Sequence, residues 1–295
     1  MTDYSNELNE LRKTFIISKQ PPQYLTHYTD SGGAIGIIRN EKIWSSSFEC
    51  MNDNGELRHG ISLWKEPVND FLNSVVEQGE EKEQLLRNWT GFIDGEIELP
   101  AMRPYISSFI CGGESAYHWS SYGNRGKGIS IDINFKDITQ MGTSIVADVI
   151  YDDEQKIKII QDVFVKLRKF IQNWEGKQKD SDTLRDVLGA LVIAIIVQSS
   201  RFKRSSWKHE CEWRVITLIN ASQGHDRIHG PILFRNRGAD IVDYIELNYS
   251  QISASIAGVT LGSASNSMSS GSWKTLLRSK MLPSTLLRRS SLDIG

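Results

Sequence analysis

From Cys211 to Gly262 the strand-like runs "CEWRVITLI", "GPILF", "DYIELN" and "SIAGVTLG" follow one another with only loops between them. Each is rich in the β-branched and aromatic residues that suit a pleated, half-buried surface. Upstream, "YLTHYT" (Tyr24–Thr29), "KIWSSS", "RPYISSFICGG" (Arg103–Gly113), "GISIDI" (Gly128–Ile133) and "SIVADVIYD" also read as strands. Strands and helices therefore come in clusters and do not alternate as βαβ units. That order predicts an α+β fold with a mixed, mostly antiparallel sheet, split or continuous, and flanking helices.

Helical stretches fill the gaps. Residues 4–18 carry leucines and isoleucines near helical spacing until "KQPPQ" stops them. Asp30 is placed to cap a short helix over "SGGAIGIIRN". Helices are expected over about 55–75 and 78–91, an inserted helical pair over about 153–174 and 181–199, and a last helix over "SNSMSSGSWKTLLRSKM". The division expected is an N-terminal helical segment (1–23), one α+β domain (24–284) with the helical insertion at about 153–199, and a polar tail (285–295) whose "RRSSLDIG" stretch is expected to be mobile.

Composition excludes several classes. A net charge of −2 gives no global basic field for nucleic acid. Cys50, Cys111 and Cys211 form no CxxC pair, which fits a reducing cytoplasm and no disulfide framework. The polar N-terminus is not a signal peptide, and "ALVIAIIV" (Ala190–Val197) is too short to span a bilayer, so a cytoplasmic location and no membrane are expected. That apolar run is a buried helix or strand core. No GxGxxG opens a helix after a strand and no P-loop occurs.

Chemistry concentrates in five places. In "THYT", His27 and Thr29 share one side of a strand and Thr26 and Tyr28 the other. A histidine at a strand end beside a hydroxyl suits a ribose or an amide, and suits equally a core histidine bonded to backbone. In "ECMNDNGE", Asn52, Asp53 and Glu56 either bind a cation or form a turn with Asp53 or Asn54 as helix cap. In "YISSFI", one of Ser107 and Ser108 must face a buried side and find a partner. "YHWSSYGNRGKG" sets His118, Trp119 and Tyr122 at helical offsets, with glycines and the cations Arg125 and Lys127 after them. It reads as a phosphate cradle or as an aromatic plug followed by a turn.

The fifth place is "WKHECEWRVI". On an extended chain Glu210 and Glu212 share a face, Trp213 and Val215 take the other, and Arg214 returns to the carboxylates. Such a pair is a solvated ion-pair ladder contributing little to folding, or it is used. Cleavage of an N-glycosidic bond uses it, because the transition state resembles an oxocarbenium ion. Glu212 would then hold the ribose and Glu210 orient or deprotonate the nucleophile.

Taken together, "LTHYT", "IWSSSFECMNDNGE", "SFICGGESAYHWSSYGNRGKGISIDI" and "WKHECEWRVI" resemble a bacterial family of unknown function with HYT, ND..E, HW..Y..G and ExEWR motifs. Their order also resembles the ADP-ribosyltransferase fold. That resemblance implies an enzyme cleaving the nicotinamide–ribose bond of NAD, as transferase or glycohydrolase. It implies a toxin or anti-phage defence setting, with a macromolecular acceptor (protein or nucleic acid) and a regulatory partner. Glu212 and Glu210 would be the catalytic acids. His27, Tyr28, Thr29, Ser108, His118, Tyr122 and Arg125 would line the NAD site. The sequence departs from the usual pattern by an aromatic after the histidine. It departs again by pairing ExE with a histidine strand, and by the helical insertion. Two other readings stay open. One is a metal-dependent nuclease or phosphodiesterase using Asp53, Glu56, Glu210 and Glu212 around magnesium, with Lys208 near the phosphate. The other is a non-catalytic nucleotide-binding module.

Overall fold

The computed structural model describes residues 2–15, 19–51, 55–76, 80–94, 102–134, 144–174, 180–220, 224–226, 230–237, 239–248 and 256–292. The chain runs α1 (Thr2–Thr14), β1 (Tyr24–Thr29), α2 (Ser31–Asn40), β2 (Lys42–Ser47), α3 (Glu56–Ser62), α4 (Lys65–Val75), α5 (Glu80–Asp94) and β3 (Met102–Ile110). Then come α6 (Ala116–Ser121), β4 (Ile129–Asn134), β5 (Ser144–Asp148) and the helical pair α7 (Asp153–Trp174) and α8 (Asp180–Ser199). It closes with β6 (Glu212–Asn220), β7 (His225–Asp226), β8 (Gly230–Pro231), β9 (Leu233–Arg237), β10 (Asp240–Asn248), β11 (Ile256–Leu261), α9 (Ser270–Ser279) and β12 (Leu287–Arg289).

Local chemistry explains the boundaries. The Asp30 carboxylate accepts the Gly33 amide at 2.7 Å, capping α2 as its position predicts. The single helix expected over 55–75 is two helices, α3 and α4. Pro67 accounts for the break: in a continuous helix its ring would clash with the Leu63 carbonyl, four residues back. In the first turn of a new helix its missing N–H costs nothing.

The fold is α+β, and its main sheet is mixed but mostly antiparallel. Its order is β12-β11-β4-β1-β3-β2-β10-β9, with β6 paired to β3 and β5 to β6. All of these pairs are antiparallel except β11 with β12. The sheet forks at β3. One edge of β3 pairs with β6 over its whole length, from Met102↔Asn220 to Ile110↔Glu212. The other edge is shared. β2 meets it at Tyr105 and Ile106, and β1 meets it at Ile110. Between those contacts, Ser107, Ser108 and Phe109 have no strand partner on that edge among the described residues.

Two apolar layers cover the sheet. Ile106 and Ile216 face one core with Tyr4, Leu8 and Leu11 of α1, Leu57 and Ile61 of α3, and Leu191 and Ile195 of α8. Tyr105, Phe109, Trp213 and Val215 face the other, against α2 and α9. α1 therefore packs into the same core as the inserted helices. The apolar run Ala190–Val197 lies in α8, where Ala190, Leu191, Ala194, Ile195, Ile196 and Val197 are buried. α3 lies so close to α8 that a Cβ on Gly60 would stand 2.7 Å from the Ser199 carbonyl oxygen. Among the described residues, no helix is long and apolar enough to cross a membrane.

The polar tail departs from expectation. Leu287–Arg289 pair in parallel with Val259–Leu261, and the Ser290 amide donates to the Leu261 carbonyl at 2.8 Å. The Arg289 guanidinium reaches the Ser265 carbonyl at 3.0 Å. Backbone pairing holds this segment, a contribution that side-chain polarity does not report. Residues 293–295 of the expected tail lie outside the described residues.

Candidate active site

A cavity of about 1020 Å³ opens at the fork. Its volume lies at the upper end of small-ligand sites, enough for a dinucleotide. Glu210, Glu212, His27, Tyr28, Thr29, Ser108, His118 and Tyr122 all border it. Eight of the nine residues singled out in the sequence thus come together from four separate regions of the chain.

The fork positions His27. Its Nδ1 lies 2.9 Å from the Ser108 carbonyl, in the stretch of β3 that lacks a strand partner on that edge. A carbonyl only accepts, so Nδ1 carries the proton and Nε2 keeps a lone pair. Burial pushes the His27 pKa down, outweighing the Ser108 bond, so the ring is neutral. Both serines of β3 find partners. The Ser107 hydroxyl bonds with Ser45 and donates to the Trp44 carbonyl at 3.1 Å. The Ser108 hydroxyl donates to Glu212 Oε1 at 2.6 Å.

The acidic pair is buried, so the solvated ladder is not what the chain builds. Glu210 is 3% exposed, Glu212 7% and Arg214 0%. Nor is the pair extended. Glu210 ends a 3-10 helix (Ser205–Glu210), Cys211 is left-handed with φ 47°, and the strand begins only at Glu212. The two carboxylates meet on Lys203, whose ammonium bonds Glu210 and lies 3.1 Å from Glu212. Arg214 holds Glu212 by Nε and Nη2 at 2.8 and 2.9 Å, and reaches Glu56 at 2.7 Å and the Ser200 carbonyl at 2.7 Å. Its guanidinium also stands 5.1 Å from the Phe48 ring centre.

Three carboxylates thus surround two cations, leaving a net negative charge in a low-dielectric setting. Burial alone would raise the Glu212 pKa. Arg214, Lys203 and the Ser108 hydroxyl outweigh it and hold that carboxyl at about 2. For Glu56 burial wins over Arg214 and Lys203, and its pKa is raised. Burial works against the Lys203 charge, but the carboxylates prevail and raise its pKa.

Aromatic groups surround Glu210. The Tyr122 and Tyr117 hydroxyls donate to its Oε1 at 2.7 and 3.1 Å. Burial, then Glu210 itself, pushes the Tyr122 phenol up. His118, 3% exposed, places Nε2 2.9 Å from the Glu210 carbonyl, which makes Nε2 the protonated nitrogen. Its buried Nδ1 has no hydrogen-bond partner among the described residues. Tyr28 turns its hydroxyl to the Ser115 amide and stacks on His118, with burial raising its pKa to about 12.

Arg125 is the exception. It is exposed, left-handed with φ 54°, and does not border the cavity. The glycine loop around it is an internal packing element: a Cβ on Gly123 would stand 2.5 Å from the Trp119 ring, and one on Gly128 would overlap the Thr29 carbonyl. Trp119 is fully buried, so the segment is an aromatic plug followed by a turn. Asp53, with Asn52 and Asn54, lies outside the described residues. Glu56 does sit in the first turn of α3, but its oxygens face Arg214 and Lys203. Among the described residues no group of three or more His, Cys, Asp and Glu is arranged to hold a metal ion.

Sequence reasoning missed Lys203 as the hub, and missed Lys42, Trp44, Arg235 and Arg237, which line the other end of the cavity. A strand-period signal was present for them. "KIW" and "RNR" each place two residues on one strand face.

A family model described as a protein of unknown function (DUF2971) matches residues 118–215, a span containing His118, Tyr122, Lys203, Glu210, Glu212 and Arg214. No curated protein matches the chain, and no solved structure does.

Proposed function

We propose that the cavity binds NAD and that the protein cleaves the nicotinamide–ribose bond, passing ADP-ribose to an acceptor or to water. The observation that supports this reading is the convergence of His27, Ser108, Tyr122, Glu210 and Glu212 on one dinucleotide-sized cavity with a net negative charge at its acid end.

In this reading the C1′–nitrogen bond breaks and its electron pair leaves with nicotinamide, a neutral pyridine. The ribose carbon becomes cationic beside the carboxylates, where fixed negative charge stabilises it without reorganisation. Glu212, with a pKa held at about 2, is a poor proton acceptor and acts as that fixed charge. The Nε2 lone pair of His27 accepts a ribose hydroxyl proton in a hydrogen bond. The acceptor, aligned by Glu210, adds to C1′ through a lone pair and gives its proton to the Glu210 carboxylate, which passes it to water. Lys203 and Arg214 offset two of the three charges on Glu56, Glu210 and Glu212, and the remaining negative charge faces the developing cation.

The test is nicotinamide release from NAD in excess EDTA, with cell lysate supplying acceptors. Wild type is expected to release nicotinamide and Glu210→Gln to release at least 100-fold less, on the order of an acid–base contribution. No release by wild type in any of these conditions would overturn the proposal.

A further inference from the structure

The cavity has two chemically opposite ends. Besides the carboxylates it is bordered by Lys42 and Trp44 of β2 and by Arg235 and Arg237 of β9, strands that lie on the other side of β3 from β6. Arg235 and Arg237 are two residues apart on one strand, so both project to the same face, roughly 7 Å apart along the chain. That spacing suits two linked phosphates.

Arg235 is only lightly engaged. Its Nη2 donates to the Ser46 hydroxyl at 3.0 Å, while its buried Nε has no hydrogen-bond partner among the described residues. Among the described residues no carboxylate pairs with it. Burial and then the like charge of Arg237 lower its pKa, as a cation without a counter-charge requires. Lys42, by contrast, is paired with Glu246. The Arg235 guanidinium lies over the Trp44 ring, 5.6 Å from its centre, and Trp44 packs on Tyr244 at 4.6 Å between ring centres. It keeps 42% of its surface exposed. A large aromatic left open beside an unneutralised arginine offers a stacking platform next to a phosphate site.

We infer that Arg235, Arg237 and Trp44 form a nucleoside diphosphate subsite, the arginines binding the two phosphates and Trp44 stacking the base. The inference rests on the reading of the cavity as a dinucleotide site, and it names the groups that hold the half of the ligand that does not react.

Isothermal titration with ADP, adenosine and inorganic pyrophosphate tests it without any turnover. ADP is expected to bind more tightly than either fragment. Arg235→Ala and Arg237→Ala should each weaken ADP about 10- to 100-fold. Trp44→Ala should weaken it roughly 5- to 100-fold, and Trp44→Phe should recover most of that loss. Pyrophosphate should compete with ADP on the wild-type protein, a result that needs no variant to fold. ADP affinity unchanged by both arginine variants, or a short single-stranded oligonucleotide binding where ADP does not, would overturn the assignment. ADP binding as described with no nicotinamide release would leave this subsite standing and remove the cleavage reading. Nicotinamide release with ADP binding indifferent to Arg235 and Trp44 would do the reverse.

Discussion

Arg214 grips both oxygens of Glu212, two residues before it on the same strand, and uses its remaining nitrogen to reach a backbone carbonyl after α8. Because all three groups are buried, this contact belongs to the architecture of the protein as much as to its cavity. Removing one member leaves a charge in a medium that cannot solvate it.

Glu212→Gln is therefore expected to destabilise the fold by about 3–5 kcal/mol, the usual effect of breaking a buried pair. Glu210→Gln should cost less than half of that. Lys203 still has Glu212 at 3.1 Å, and a Gln oxygen still accepts from Tyr122. Urea unfolding of both variants checks the ranking. Equal losses would mean that Arg214 does not need Glu212.

Acid stability carries the same signature. The Glu212 carboxyl is held at about 2 in the folded state against an ordinary 4.5. Its contribution is complete above the unfolded value and is lost as pH falls from 4.5 through about 2. That difference corresponds to about 3 kcal/mol. Glu56, raised by burial, works in the opposite sense and detracts from stability as pH rises above 4.5. Unfolding free energy measured between pH 2 and 7 should fall steeply below 4.5 in wild type and less steeply in Glu212→Gln.

Gly60→Ala tests the seat of Glu56. The new methyl would meet backbone, the Ser199 carbonyl oxygen at 2.7 Å, so α3 must move away from α8. The expected cost is about 1–3 kcal/mol. A displaced α3 also draws Glu56 away from Arg214. A melting temperature equal to that of wild type would show that the two helices have room to spare.

Truncation after Leu286 removes β12 and uncovers the β11 edge. Amide exchange at Val259 and Leu261, which face the β12 edge, should accelerate at least 10-fold, while Thr260, facing β4, serves as the internal control. Unchanged exchange would mean that the strand pairing contributes nothing.

Much of this was legible in the chain. "YLTHYT" has the composition and period of a strand and is one with the same bounds; "DEQKIKIIQDVFVKLRKFIQNW" repeats helically and is α7 from end to end. The site residues were legible because histidine, paired acids and serines within apolar strands are costly unless partnered. Other parts were not. The same-face argument for Glu210 and Glu212 assumed an extended chain, and the left-handed Cys211 breaks that assumption. Lys203 belongs to no periodic pattern. Its role depends on where α8 ends relative to β6, which is a tertiary fact. Gly123 and Gly128 advertise close approach but not whether a ligand or the protein itself approaches.

The charge cluster also orders events in time. Glu56 comes from α3, Lys203 from the chain just after α8, and Glu212 and Arg214 from β6. A chain made from its N-terminus holds Glu56 without a counter-ion until more than half its length has been synthesised. The acids converge only when the helical layer docks on the sheet, so a nascent or partly unfolded chain has no assembled site. Whatever chemistry the cavity performs is switched on by the completion of folding itself.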